Sequence, residues 1–356
     1  MIISRTPFRI SFFGGGTDYP VWYKENEGAV ISASINKYCY ITCRYLPPFF
    51  GYKYRIVYSQ REAVYELNEI KHHSVRECLR FMDLANGVEV HHDGDLPART
   101  GLGSSSSFTV GLLNALYALK GKMVTKKQLA MDAIKVEQEM IKENVGSQDQ
   151  TIAAFGGFNK ITFGRNYNIE VQPITLDFDK STHFQKHLML FFTGFSRTAS
   201  EIAGEQIKET ANKTKELKAM HAMVEAAADI LNQSRDNFDA FGKLLNEAWK
   251  IKRSLTSKIS TPFVDEIYET ALRAGASGGK LLGAGGGGFI LFFVKPERQA
   301  KVRAALRKLL YVPFGFDTLG SQIIYYAPDH HTWWGMDNQL KTAEQVIQED
   351  STITEQ

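Results

Sequence analysis

Apolar side chains crowd residues 2–13 (Ile2, Ile3, Phe8, Ile10, Phe12 and Phe13) around a bend at 5–9, and they predict a first strand. The run GGGTDYP at 14–20 ends it. β-Branched and aromatic residues dominate 29–46 and predict more strand; 46–59 reads as a loop and then another strand. A short helix is predicted over 75–82, a strand running into a turn over 87–97, a helix up to about residue 119, and a second helix over 126–143. In the second half, KHLMLFFTG at 186–194 is an apolar strand ending in glycine, and 196–260 is helical in pattern, alanine-rich, charged and free of proline. A helix over 261–274, the glycine-rich run at 275–288, the strand FILFFV, a helix over 296–310 and a strand near 321–327 follow. Strand, helices, strand, helix, strand predicts an α+β sandwich after a strand-rich first half with two long helices. Beyond residue 326 the chain turns polar and is expected to fray. No repeat of fixed period is visible.

Length and charge narrow the classes. At 356 residues the chain suits two ordinary domains, and 44% hydrophobic residues suffice for real cores. The net charge of +3 is too small to argue for nucleic acid, yet leaves room for a basic pocket that holds an anionic substrate. Cys39, Cys43 and Cys78 lack the second pair or histidine cluster of a zinc site and read as buried free thiols. The first residues carry two arginines and a proline without the apolar core of a signal peptide, and no run reaches a membrane-spanning length. A cytoplasmic protein with no membrane or nucleic-acid partner is the expectation. The oligomeric state is not legible.

The densest chemical signal is LPARTGLGSSSSFTVG at 96–111, where glycines and four serines precede an apolar helix. Helix N-termini hold unpaired N–H groups and attract anions, glycine lets backbone approach a phosphate, and serine can cap the helix or ligate Mg²⁺. A flexible linker or a simple serine cap would share this composition. The common phosphate-loop string of Gly, four residues, then Gly-Lys-Ser/Thr is absent: Gly279-Lys280 is followed by Leu281. GAGGGG at 283–288 matches Gly-x-Gly-x-x-Gly but leads into a strand, which argues against a dinucleotide fold.

Among the carboxylates, Glu137 has Ala130, Ala133, Ile134, Met140 and Ile141 as its helical neighbours and faces inward. Such a group needs a partner, either a metal ion or an internal salt bridge. Glu139 neighbours Lys135, Val136, Lys142 and Glu143 and reads as solvated. Asp149, in GSQDQ, could be a turn former or a helix cap. Arg9 and Asp18, close in sequence across a glycine-rich turn, could form a surface ion pair.

Taken in order, TPFRISFFGGGTDY, LPARTGLGSSSS, VEQEMIKENVGSQDQ and GGKLLGAGGGGF resemble the galactokinase–homoserine kinase–mevalonate kinase–phosphomevalonate kinase (GHMP) superfamily over most of residues 1–326. The resemblance implies a two-domain α+β fold, with a ribosomal-S5-domain-2-like N-terminal domain over 1–185, a ferredoxin-like α/β sandwich over 186–330, and a polar tail over 331–356. It implies that Gly101, Leu102, Gly103, Ser104, Ser105 and Ser106 wrap the phosphates of ATP and that Ser105 and Glu137 hold Mg²⁺. Asp149 would then deprotonate the attacking hydroxyl, with Arg9 against it and against the transferring phosphoryl group. Gly15, Gly16, Thr17 and Asp18 would meet the substrate. Galactokinases place Glu-His where Gly15 and Gly16 stand, so a bulkier or more anionic substrate than galactose is expected. LFFTGFSRTASEI resembles the fucokinase and heptose-phosphate kinase branch, which adds Thr193 and Arg197 to the substrate pocket and implies a small sugar phosphate, heptose 7-phosphate, as acceptor. An unphosphorylated sugar, or a silent nucleotide and sugar sensor, are the alternatives; a sensor has no need of both a base and a metal ligand.

Overall fold

The computed structural model describes residues 1–84, 86–98, 100–165, 168–194, 199–233 and 238–328, so Arg197 and the polar tail lie outside the described residues. Among the described residues, twelve strands build two sheets: β1 Ile2–Phe13, β2 Gly28–Tyr45, β3 Tyr54–Val57, β4 Arg61–Val64, β5 Val88–Gly94, β6 Phe158–Gly164, β7 Asn168–Pro173, β8 Leu188–Gly194, β9 Ala276–Leu281, β10 Gly288–Val294, β11 Leu310–Tyr311 and β12 Gln322–Tyr326. The first sheet runs β12-β1-β2-β5-β3-β4, with β6 and β7 added along β2; the second runs β11-β8-β10-β9.

β1 and β2 are long and pair antiparallel, Ile2 opposite Cys43 and Arg9 opposite Ser34. Their apolar residues are buried under the helix Ser104–Leu119, itself buried almost throughout. That helix comes so close to β1 that a Cβ on Gly111 would lie 2.7 Å from Thr6 Oγ1, and Ser107 Oγ donates to Pro7 O at 2.9 Å. The three cysteines are buried and free, and burial raises their pKa values.

Helices Ala199–Glu209, Thr214–Gln233 and Asp239–Arg253 replace the single helical region expected over 196–260. Phenylalanines join them to both sheets. The Phe184 ring packs on Phe12 of β1, Phe241 of the helix Asp239–Arg253 and Phe293 of β10, with centroids 6.0, 4.9 and 5.9 Å away. Such pairs add about 0.5–1.5 kcal/mol each beyond simple burial. They fix the end of β1, and hence the GGGTDY turn after it, against the second half of the chain.

The last strand crosses back. β12 pairs antiparallel with β1, Ile2 opposite Tyr326, and Thr6 Oγ1 meets Ser321 Oγ at 2.8 Å. The β6–β7 hairpin was not expected from sequence; its inward residues Asn159, Ile161 and Phe163 alternate with half-buried ones. No helix among the described residues is long and apolar enough to cross a membrane.

Candidate active site

The glycine–serine stretch folds as a turn that feeds a helix. Gly101 (φ +85°) and Gly103 (φ +74°) both take left-handed backbone, and Gly103 caps the helix that starts at Ser104. The first turn of that helix has N–H groups without intrahelical acceptors. A second glycine-rich loop, ahead of β10, braces the first. A Cβ on Gly101 would sit 2.3 Å from Leu282 O, one on Gly283 would sit 2.5 Å from Gly101 Cα, and Phe289 N donates to Thr100 O at 3.1 Å. The decoy GAGGGG run is therefore the wall on which the serine loop rests. Ser105 is exposed at the helix start, whereas Ser106 is buried.

Arg9 and Asp149 meet under this turn. Arg9 Nε donates to Asp149 Oδ1 at 2.7 Å and Nη2 donates to Oδ2 at 2.6 Å, the two-pronged geometry that makes arginine–carboxylate pairs strong. Nη1 donates to Gly101 O at 2.6 Å, and the Arg9 N–H donates to Leu102 O at 3.0 Å. A Cβ on Gly103 would lie 3.2 Å from Arg9 Cγ and 3.3 Å from Asp149 Oδ2, so the helix cap touches the pair. Arg9 is 4% exposed, while the Asp149 side chain keeps 22% of its surface open. The surface pairing of Arg9 with Asp18 does not occur.

Asp18 is buried next door. Its Oδ1 accepts the Gly16 N–H at 2.9 Å and its Oδ2 accepts Gln148 Nε2 at 2.9 Å. Burial raises its pKa, the two hydrogen bonds counter that, and the Asp149 charge adds to the rise. Thr17 is spent on the turn, its hydroxyl bonded to the Gly14 and Ala29 backbone. A Cβ on Gly15 would lie 3.8 Å from Gln148 Nε2, and Gly16 lines a cleft with Tyr19, Thr210, Lys213 and Leu217.

Glu137 comes in from the third side. The expected helix over 126–143 is regular only over Lys126–Lys135; Val136–Met140 forms a π turn that carries Glu137 inward. Such turns insert one extra residue and recur at functional sites. Oε2 accepts Ser106 Oγ at 2.8 Å and Gln150 Nε2, while Oε1 is buried and accepts no hydrogen bond among the described residues. Burial pushes its pKa up to about 7, against the pull of its hydrogen bonds. Glu137 thus pairs with Ser106 rather than Ser105.

Thr193 stands on β8, its Oγ1 donating to Gly288 O at 3.0 Å, and a Cβ on Gly288 would meet Thr100 O at 2.3 Å; Thr193 therefore backs the end of the serine loop. Arg197 is outside the described residues. Sequence reasoning missed Gln148 and Gln150, which hold Asp18 and Glu137, and two buried lysines, Lys252 and Lys280. The signal for Lys252 was present: it continues the apolar stripe of Ala248, Trp249 and Leu255.

Comparison with known proteins gives this geometry a family. The GHMP kinases N terminal domain profile matches residues 67–157 and the GHMP kinases C terminal profile matches 206–312. The chain is 29% identical to D-glycero-alpha-D-manno-heptose 7-phosphate kinase of Campylobacter jejuni, over 86% of this chain and 93% of that one. It is 30% identical to L-fucokinase/L-fucose-1-P guanylyltransferase of Bacteroides fragilis, over 68% of this chain but 25% of that longer one. The crystal structure of a D-glycero-D-manno-heptose 1-phosphate kinase from Bacteroides thetaiotaomicron shares the fold, with a TM-score of 0.69 at 23% identity over 92% of this chain and 100% of that one. With both domain profiles matched in order and the fold shared over nearly the whole chain, the protein belongs to the GHMP kinases, phosphotransferases that act on an alcohol acceptor.

Proposed function

We propose that the protein uses ATP to phosphorylate the anomeric hydroxyl of D-glycero-α-D-manno-heptose 7-phosphate, giving the 1,7-bisphosphate. The observation that carries this reading is the two-pronged Arg9–Asp149 pair pressed against Gly103, a base and a cation at the mouth of an anion-binding helix start. Phosphoryl transfer asks mainly for alignment and charge stabilisation, because its transition state is loose and anionic.

In this reading the N–H groups at Gly101 to Ser106 hold the nucleotide phosphates. The acceptor hydroxyl lies by Asp149 and gives it a proton as its oxygen bonds to the γ-phosphorus; the bond to the bridging oxygen breaks and ADP leaves. Arg9 holds the Asp149 carboxylate in line and offers charge to the group in transit. Gly15, Gly16 and Asp18 receive the sugar, and Thr193 and Arg197 are the further candidates for contacts to it.

The residues present fit a divalent cation. Glu137 Oε1 is a buried carboxylate oxygen that accepts no hydrogen bond among the described residues, and the Ser105 and Ser106 hydroxyls stand at the same helix start; these are the hard oxygen donors Mg²⁺ prefers. No group of three or more His, Cys, Asp or Glu among the described residues could hold a metal, so phosphates and water would complete the shell. Bound Mg²⁺ would neutralise phosphate charge.

The 30% identity to an L-fucokinase favours a second reading, an unphosphorylated sugar as acceptor. A coupled ADP-release assay over heptose 7-phosphate, free heptose, fucose and galactose separates the two. Turnover with heptose 7-phosphate alone supports the first reading, and turnover with free fucose or galactose replaces it by the second.

A further inference from the structure

Lys252 has no role in the reading so far, and its surroundings ask for one. It lies on the helix Asp239–Arg253, is only 6% exposed, and forms no ion pair among the described residues. Its Nζ donates to Gly283 O at 2.6 Å, and no other acceptor among the described residues takes its remaining N–H groups. A buried ammonium with donors to spare is costly unless something anionic completes it.

The position says what that anion is. Gly283 packs backbone to backbone on Gly101, whose carbonyl oxygen accepts Arg9 Nη1. The ammonium is therefore one loop away from the Arg9–Asp149 pair, and it feels the charges of both. The charges around it come from four elements: Arg9 on β1, Asp18 in the turn after β1, Asp149 on the helix Gln148–Phe155, and Lys280 on β9. Lys280 is also buried, but donates to Phe12 O at 2.9 Å and ties β9 to the end of β1. Burial first, and the Arg9 charge second, lower the Lys252 pKa to about 8, which still leaves it mostly protonated at neutral pH.

We propose that Lys252 is a further catalytic residue, contributed by the second half of the chain, whose ammonium binds the γ-phosphoryl group of ATP and stays on it during transfer. The proposal rests on the ATP-dependent reading above. Lys252 keeps its proton throughout; the acceptor's proton goes to Asp149. Its bond to Gly283 O aims the ammonium, and the spare N–H groups meet phosphoryl oxygens.

The test uses the full chain as wild type, Lys252→Met and Lys252→Arg. Calorimetry gives the affinity for ATP relative to ADP, and steady-state rates give kcat, KM and their pH dependence. Lys252→Met is expected to fold and to lose about tenfold in its preference for ATP over ADP, the scale of one charged hydrogen bond. It should also lose roughly 10²–10³ in kcat, as when one donor to a developing oxyanion is removed. In the wild type, kcat/KM should fall as pH rises through about 8, where Lys252 loses its charge. Lys252→Arg should restore part of the rate and remove that alkaline limb, because guanidinium stays charged. If the methionine variant does not fold, the arginine variant still reads the limb. Wild-type ATP preference and turnover in Lys252→Met, or an alkaline limb kept in Lys252→Arg, overturns the proposal. A wild type that binds ATP but phosphorylates no sugar sinks the kinase reading alone, since the ATP-to-ADP ratio still judges Lys252. A wild type that binds no ATP sinks both.

Discussion

Arg9 and Asp149 clasp each other through two hydrogen bonds of 2.7 and 2.6 Å although 140 residues separate them in sequence. The arginine also holds Gly101 O, so one guanidinium fixes both the carboxylate and the turn above it. Replacing Asp149 by Asn keeps an acceptor for Arg9 but removes the proposed base. The expected loss is about 10²–10⁴ in kcat, with little change in KM for ATP. Steady-state kinetics on a variant with an unshifted melting temperature checks this; near-wild-type turnover removes Asp149 as base.

Ser106 and Ser105 differ in the structure, and the difference can be measured. Of the two, Ser106 is the one that hydrogen-bonds Glu137. Glu137→Gln and Ser106→Ala are each expected to raise the Mg²⁺ concentration needed for half-maximal rate, about tenfold or more. Ser105→Ala should raise it less. A titration of rate against Mg²⁺ in which Glu137→Gln matches wild type takes Glu137 out of metal binding.

Gly146 has no room for a side chain: a Cβ there would lie 1.9 Å from Asp18 Oδ2. Gly146→Ala should displace the Asp18 carboxylate and raise KM for the sugar by about tenfold or more, while KM for ATP stays close to wild type. Equal effects on both substrates would show that Asp18 does not serve the sugar.

Phe184 stands at the junction of β1, β10 and the helix Asp239–Arg253. Truncation to Ala should cost about 3–5 kcal/mol of unfolding free energy by emptying a fully buried ring site. Urea unfolding is the measurement, and a loss below about 1 kcal/mol would mean that the junction relaxes around the gap.

Lys252 also makes a stability prediction with a definite sign. Its folded pKa of about 8 lies below its ordinary value of 10.5. Between those values the unfolded chain binds the proton that the folded chain has lost, so wild-type stability gains with rising pH. Below about pH 8 the full cost of burying the charge is present. Lys252→Met should therefore be the more stable protein at pH 7, by an advantage that shrinks between pH 8 and 10.5. Paired unfolding curves across that range check it; an advantage that grows with pH contradicts the buried charge.

Much of this was written locally in the chain. β1 announced itself through its apolar residues, and the inward aim of Glu137 followed from its helical neighbours. The π turn at Val136–Met140 was not legible, because one extra residue in a helix leaves no mark on composition. Arg9 and Asp18 lie close in sequence and invited pairing, yet the glycine turn directs Asp18 to Gly16 N and Gln148 and leaves Arg9 to Asp149. That partnership depends on long-range packing, and only the family resemblance foresaw it. Lys252 was passed over because a lone lysine in a charged helical run reads as solvated until its neighbours Trp249 and Leu255 are seen to be buried.

Because β12 closes against β1, the strand that carries Arg9 finds its outer neighbour only when Gln322–Tyr326 has been made. Thr6 waits for Ser321, 315 residues downstream. A ribosome-bound chain that has finished every catalytic candidate still lacks that border, so the enzyme completes its own scaffold last. Loop closure over such a span is slow. Activity should emerge as a late event of biosynthesis, after the second half of the chain has come into being.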